Sequence, residues 1–456
     1  MGLSATMQKL MEILDSNDEN DEEHVGLEIR VQEPELVHPA EPVEHQVYYL
    51  SNLDQNIAVP MQTVWFFNGQ EDKKDQDPAA VLKEALRKLL VHMFFLAGRI
   101  GLSPDYRLQI EFEDQGLVFV EAVAEKHCIA EFGDVSRPAP FMKQLVYEPP
   151  PSENILGSPP TFVQVTKFKC GGFALGLNNN HCTLDGLAAH EFICSWGKLA
   201  RGLEITHSFS IDRSMLKPRS PLQPEFSHEE FYDLEDLSTT KDSFFSINPV
   251  HGSFEVNPRD MDALKKSILD EGEGVSKVTT FEALTAFTWR VRMNSLNLTP
   301  EQKTRVFFSV DVRKKLSPPL PEHFMGNGIV LTFATTTVGE LCEKPLSFAV
   351  KLVQDAIAFV TDKYVRSAID HFEATRARPA LVASFVVTSW LRLPFHEADF
   401  GWGPAVAMSP ASLPDQGVVL FISSGKDRKS ATVILGLPTS SAMDKFGVEL
   451  NKAHVN

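Results

Sequence analysis

The sequence predicts an α/β protein made of two units of similar size that meet at an interface. Three observations predict it. The chain has 456 residues, 43% hydrophobic and 23% charged, which at roughly 100–200 residues per domain is enough for two or three domains with substantial cores. Both halves alternate strand-like apolar runs with amphipathic helical ones. Between them, from Phe209 to Phe244, the composition turns to Pro, Ser and acidic residues, which reads as a long crossing linker. The expected division is therefore an acidic tail (1–30), an N-terminal unit (31–208), the linker (209–244) and a C-terminal unit (245–456). Interfaces between such units are where ligand sites gather.

The elements follow in order. "PAAVLKEALRKLLVHMFFLAG" (78–98) repeats Val81, Leu82, Ala85, Leu86, Leu89 and Leu90 at helical spacing and is expected to stay helical to Gly98. "RLQIEFEDQGLVFVEA" alternates and breaks at Gly116, as a hairpin would. "TFVQVTKFK" and "FALGL" read as a second hairpin turning at Gly171-Gly172. Ala189, Phe192, Ile193, Trp196 and Leu199 then mark a helix ending at Gly202. In the second half "TFEALTAFTWRVRM" is a helix, "TRVFFSVDV" a strand and "PLSFAVKLVQDAIAFVTDKYV" one long helix. "ASFVVTSW", "GVVLFISS" and "SATVILGL" are strands.

Charge and cysteine usage exclude several classes. A net charge of −18 argues against nucleic acid as a partner, because phosphate binding needs clustered cations. Five cysteines without a Cys-x-x-Cys suit a reducing compartment, expected to be the cytoplasm, and argue against a disulfide framework or zinc knuckle. The apolar run "LLVHMFFLAG" (89–98) is too short to span a bilayer, so stable membrane insertion is not expected. "MGLSAT" fits an acylation pattern at Gly2, but the acidic "DSNDENDEEH" after it would repel the anionic surface that a second signal must engage.

The stretch "NNNHCTLDGLAAHEF" (178–192) carries the strongest chemical signal. A neutral imidazole is the side chain best suited to take a proton near pH 7, and His181 stands where a strand runs out before a helix. About one His-x-x-x-Asp is expected by chance in such a composition, so a satisfied core histidine is an equal alternative. Asp185, followed by Gly186 and a helical run, reads first as an N-cap. It would serve a triad only within hydrogen-bond reach of His181. Cys182 reads as a small hydrophobe rather than a nucleophile. "HEADFGWGP" (396–404) reads as a structural turn, with Asp399 in need of a partner. Arg313 could pair a buried carboxylate or stand free at a strand end.

The combination of "HCTLDG" at 181–186 with "DFGWG" at 399–403 resembles the paired signature of the plant BAHD acyl-CoA-dependent acyltransferases. "YYLSNLDQNIAV", "LAGRI", "FVEA", "VDVR" and "GNG" follow in the order that family shows, over nearly the whole chain from Glu33. "CSWGKLARG" (194–202) and the block from Ser367 to Gly403 resemble the members that move hydroxycinnamoyl groups onto ω-hydroxy acids or fatty alcohols. The departures are "FMGN" for the usual "YFGN" and "VDVR" for "VDGR".

The resemblance implies two chloramphenicol-acetyltransferase-like domains with a channel between them. It implies acyl-CoA as co-substrate, no resident cofactor or metal, and no covalent enzyme intermediate. It makes His181 the general base and Asp185 a structural residue salt-bridged to Arg313. Asp399, Gly401, Trp402 and Gly403 become structural support near the coenzyme A end. Thr388 and Trp390 become candidate oxyanion donors, each of which could equally be strand packing. Ser276, Lys277, Thr279 and Thr280 become candidates for the coenzyme A channel, though helix capping explains the threonines as well. A monomer is expected. Two other acceptor or functional classes compete: a shikimate- or phenol-directed transferase, and a non-catalytic accessory protein of acyl-chain elongation. The uncharged run Ala380–Val387 favours an alkyl acceptor over an acid, which would need a fixed arginine. Plain strand core explains it too.

Overall fold

The structure is a computed structural model and describes residues 26–151, 154–237, 249–272, 274–379, 383–412, 417–424 and 428–452. The acidic tail through residue 25, with Gly2, lies outside the described residues, as do Ala380–Val382 of the uncharged run.

Two mixed sheets, each with its own core, form the α/β architecture that the sequence predicts. The first runs Arg30–Val31, Leu117–Ala124, Thr161–Phe168, Phe173–Asn180, Pro60–Phe67, Ala407–Pro410, with Glu35–Val37 also on Leu117–Ala124. The second runs Val250–Val256, Ser430–Leu437, Val418–Ser424, Ser384–Ser389, Lys303–Asp311, Ile329–Thr337. Helices Pro78–Leu90 and Gly186–Ala200 bury Leu82, Leu86, Leu89, Phe192 and Trp196 in the first core. Helices Thr280–Ser295 and Leu346–Phe359 bury Leu284, Trp289, Val350 and Val353 in the second.

The hairpin at Gly171 forms as read, with that glycine at φ 75° and the two strands antiparallel. Other elements differ for physical reasons. The first long helix stops at Leu90, and a 3₁₀ turn, Phe94–Ala97, replaces its last stretch. Phe94 and Phe95 are both buried there, which a continuing helix with one apolar stripe could not achieve. The long helix of the second half is two, Leu346–Phe359 and Asp362–Thr375. The break is at Thr361, whose hydroxyl caps the second helix by accepting from Tyr364 N at 3.4 Å. The expected hairpin around Gly116 is split between sheets. Leu108–Phe112 pairs with Arg99–Leu102 and Gln46–Tyr49, whereas Leu117–Ala124 lies parallel to Thr161–Phe168. Alternation marks a strand, but its partner is chosen by burial far along the chain.

One crossing shapes the site. Ala407–Pro410 leaves the second half of the chain and pairs antiparallel with Pro60–Phe67 of the first sheet. Phe395, Ala398, Phe400, Trp402 and Ala405 enter the first core with it. Sequence order assigns the Asp399–Gly403 segment to the C-terminal unit, whereas its side chains are packed on the N-terminal sheet. Aromatic contacts explain the crossing: Phe400 stands edge-on to Phe67 and Trp196, and Trp402 edge-on to Phe173.

Gly197 lets the backbone of this segment come close to the Gly186–Ala200 helix. A Cβ there would lie 2.4 Å from the Asp399 carbonyl oxygen, which is backbone and cannot swing away. Gly197→Ala should therefore destabilise the fold by about 1–3 kcal/mol, even though alanine gains about 1 kcal/mol in helix propensity. Urea unfolding of the variant checks this, and a variant as stable as the wild type would contradict it.

Candidate active site

The site is built where the Phe173–Asn180 strand ends. Every residue of that strand is buried between Thr161–Phe168 and Pro60–Phe67. Beyond it the chain turns, with Thr183 N donating to Asn180 O at 3.0 Å and Cys182 N to Asn180 Oδ1 at 3.1 Å. His181 N is held by Val59 O at 2.8 Å. Cys182, Thr183, Leu184 and Asp185 are buried, and His181 is half-buried, the one residue of this turn with access to solvent. Burial pushes the Cys182 thiol far above its ordinary pKa, and the Asp54 charge adds to the shift. It therefore stays protonated and packs as a hydrophobe.

Among the described residues, no hydrogen bond joins Asp185 to His181. Asp185 is the N-cap of the Gly186–Ala200 helix, accepting from Ala188 N at 3.0 Å. Both its oxygens also receive Arg313, at 2.8 Å each, and Gly328 N donates to Oδ2 at 2.9 Å. Burial opposes the Arg313 charge, but the Asp185 carboxylate, with a smaller contribution from Asp311, offsets it and the pKa of the guanidinium is raised. The capping and ion-pair readings of Asp185 are thus both realised in one carboxylate.

His181 has a different partner, Asn327, which sequence reasoning noted only as the centre of "GNG". Asn327 Nδ2 donates to His181 O and to Asp54 Oδ1, each at 2.8 Å. Both are pure acceptors, so the amide orientation is fixed. Its oxygen then faces His181 Nδ1 at 3.0 Å, and Nδ1 must carry the proton. Among the described residues nothing engages Nε2, whose lone pair is left to act as a base.

Asp54 is fully buried and anchors this amide. It accepts from Asn327 N at 3.0 Å, from Ser51 N and Arg213 Nε at 2.8 Å, and from Ser51 Oγ at 2.7 Å. Arg213 stacks on Tyr48 with its guanidinium carbon 4.3 Å from the ring centre, and also bonds the Tyr48 hydroxyl. The glycines of "GNG" let two arginines pass on either side of Asn327. A Cβ at Gly326 would meet the Arg213 guanidinium at 2.5 Å, and one at Gly328 would meet that of Arg313 at 2.6 Å.

The other candidates separate. Asp399 pairs with Arg201 at 3.3 Å and accepts from Gly401 N at 2.8 Å. Gly401 and Gly403 hold φ 102° and 82°, and the Trp402 carbonyl accepts from Gln70 at 3.1 Å. That is a turn locked into the first core. Thr279 is an N-cap with a full capping box to Glu282, while Ser276 and Lys277 are exposed. Within the described residues, no hydrogen-bond partner engages the Thr388 hydroxyl or the Trp390 indole N–H. Trp390 belongs to an apolar cluster with Leu420, Ile422 and Ile434, flanked by Met61, Leu393 and Met408. Leu393 lies against Gly186, and Met61 is paired with Asn179, so this cluster adjoins the His181 turn and draws on both sheets. Of the uncharged run, Phe385 and Val387 are second-core residues, as strand packing would have it.

Asp185→Asn should lower stability by about 3–5 kcal/mol, because it strands the Arg313 charge. Adding Arg313→Gln should cost much less than the sum of the single changes, measured by thermal and urea unfolding; additive losses would deny the coupling.

The chain is 45% identical over 438 residues to an omega-hydroxypalmitate O-feruloyl transferase of Arabidopsis thaliana, covering 95% of each chain. It is 43% identical over 419 residues to a fatty alcohol:caffeoyl-CoA acyltransferase of the same plant, covering 91% of this chain and 96% of that one. The crystal structure of vinorine synthase superposes with a TM-score of 0.74 at 21% identity, covering 93% of this chain and 98% of that one, and so shares the fold. The Transferase family model matches residues 27–452, and the chain belongs to that family, the BAHD acyltransferases whose motifs it carries.

Proposed function

We propose that the protein transfers a hydroxycinnamoyl group (feruloyl, caffeoyl or coumaroyl) from its coenzyme A thioester to the hydroxyl of a long-chain ω-hydroxy acid or fatty alcohol. The chemistry of phenolic lipids of the cutin, suberin and wax type would call for this reaction. The observation that carries the reaction class is the orientation of His181: Nδ1–H on Asn327 and a free Nε2. The acceptor class is supported by what the two relatives at 45% and 43% identity are named for. It is supported also by the apolar cluster of Trp390, Met61, Leu393 and Met408 beside the turn.

In this reading His181 Nε2 removes the acceptor hydroxyl proton while the oxygen attacks the thioester carbonyl. Charge gathers on the carbonyl oxygen, and the Thr388 hydroxyl and Trp390 indole N–H are the donors assigned to it. Collapse expels the coenzyme A thiolate, which recovers the proton from the imidazolium. Asn327 holds the ring in the tautomer this requires. Asp185, Arg313 and the Asp399–Gly403 turn hold the site in shape, and the coenzyme A moiety lies toward Ser276, Lys277, Thr279 and Thr280. The enzyme works as a monomer in the cytoplasm. The described residues include no helix long and apolar enough to cross a membrane.

His181→Ala should lower kcat by about 10²–10⁴ with acyl-CoA binding retained, and Asn327→Ala should lower kcat with KM for acyl-CoA nearly unchanged. Thiol release and calorimetric binding measure both, and an active His181→Ala variant would remove the general base from the scheme.

An apolar acceptor wall also predicts chain-length dependence, since each buried methylene contributes about 0.8 kcal/mol. With one hydroxycinnamoyl-CoA, long-chain alcohols and ω-hydroxy acids should outcompete a short alcohol and shikimate. A preference for shikimate would overturn the acceptor and leave the reaction class standing. No transfer to any alcohol would favour an accessory, non-catalytic role.

A further inference from the structure

A second histidine cluster lies outside the catalytic turn. His207 Nε2 is 3.1 Å from Glu191 Oε1, and His323 Nδ1 is 3.1 Å from Glu191 Oε2. The three residues come from three segments: the Gly186–Ala200 helix, the stretch that leaves it, and the loop that leads to Asn327. The two imidazoles stack, with ring centres 3.6 Å apart and planes 12° from parallel, so both present a nitrogen to the same carboxylate.

Two details are poorly served by a plain ion pair. His207 Nε2 is buried and forms no properly directed hydrogen bond, although Glu191 is close enough to accept one. A buried polar atom left so costs about 1–3 kcal/mol. His323 adopts φ 52°, a conformation rare for a residue with a Cβ, and this holds its ring in the cluster. The donor atoms of all three residues lie within 4.8 Å of one another.

We infer that Glu191, His207 and His323 form a binding site for a zinc-class divalent metal ion, bridging the two halves of the chain beside the catalytic turn. Two imidazole nitrogens and one carboxylate, with water in a fourth position, are a donor set for such an ion rather than for calcium or magnesium. Bond lengths of about 2.0–2.2 Å place tetrahedral donors about 3.4 Å apart. The two imidazoles must also leave their stack on binding, because each lone pair lies in its ring plane and near-parallel planes cannot both contain the ion. The side chains keep 18%, 23% and 34% exposure for His207, Glu191 and His323, enough for an ion to enter and retain a water. The ion would fasten the helix capped by Asp185 to the loop carrying Asn327. It takes no part in acyl transfer.

The test uses untagged, chelator-stripped full-length protein titrated with Zn²⁺ and with Co²⁺. Expected are one equivalent bound, a higher melting temperature with metal, and a cobalt spectrum without a thiolate-to-metal band. Affinity should fall by about tenfold or more in each of Glu191→Gln, His207→Gln and His323→Asn, read independently. Asparagine tolerates the positive φ at that position, and unchanged metal-free melting temperatures report an intact fold. Absence of stoichiometric binding, or undiminished binding in the folded variants, overturns the site. So does a thiolate band abolished by Cys194→Ser, which would put the ion on His190, Cys194 and Glu397 instead.

Discussion

One carboxylate fixes the relation between the two halves of this molecule. Asp185 receives four N–H donors: Ala188 from its own helix, two from Arg313, and the Gly328 backbone. Ala188 is a neighbour of Asp185 in sequence, whereas Arg313 and Gly328 come from the second half of the chain. A buried ion pair of this kind is weak as a source of net stability, because desolvation offsets the attraction. What it supplies is position. The bidentate geometry of a guanidinium on a carboxylate allows little rotation or translation, so the loop carrying Asn327 meets the turn carrying His181 in one register.

The second buried pair has the same logic one layer deeper. Asp54 and Arg213 are almost fully excluded from water, and the charge of Asp54 would be prohibitive without the five hydrogen bonds it accepts from Ser51, Arg213 and Asn327. The arrangement resembles a catalytic triad in the order of its partners but not in its parts. An amide stands between carboxylate and imidazole, so the negative charge steers the orientation of Asn327 rather than contacting the ring. A neutral acceptor on Nδ1 fixes the tautomer while stabilising the imidazolium less than a carboxylate would. In the proposed reaction, that suits a base which must return its proton to a thiolate within the same turnover.

How much of this was legible in the sequence depends on chain separation. The strand end, the turn and the N-cap role of Asp185 are local, and the pattern from Phe173 to Leu199 reveals them. The Arg313 pairing spans 128 residues and was foreseen only through family resemblance. Asn327 and Asp54 are 146 and more residues from the groups they serve. Their traces were two family landmarks, "YYLSNLDQNIAV" around Asp54 and "GNG" around Asn327, whose glycines the sequence could not explain without knowing that two arginines press against them. The same limit governs the fold. Alternation located the strands at 108–112 and 117–124, yet not that they join different sheets. The short Ala407–Pro410 strand gives little periodicity of its own, and its place beside Pro60–Phe67 follows from the aromatic residues before it.

That crossing has a consequence for substrate recognition. Because the Asp399–Pro410 stretch is anchored in the first core, Met408 comes to the same apolar cluster as Trp390, Leu420 and Ile422 of the second sheet. The cluster therefore exists only when the two halves are docked, and it contains methionines, whose unbranched side chains adapt to ligands of different shape. In the proposed reaction these side chains would have to part to admit an aromatic acyl group or an alkyl chain, and the cluster itself offers no fixed charge to select an acidic acceptor. On the proposed function, selectivity would then come from the length of apolar surface that an acceptor can cover, and the proton transfer would fall to a histidine whose orientation is set by residues from both halves of the chain.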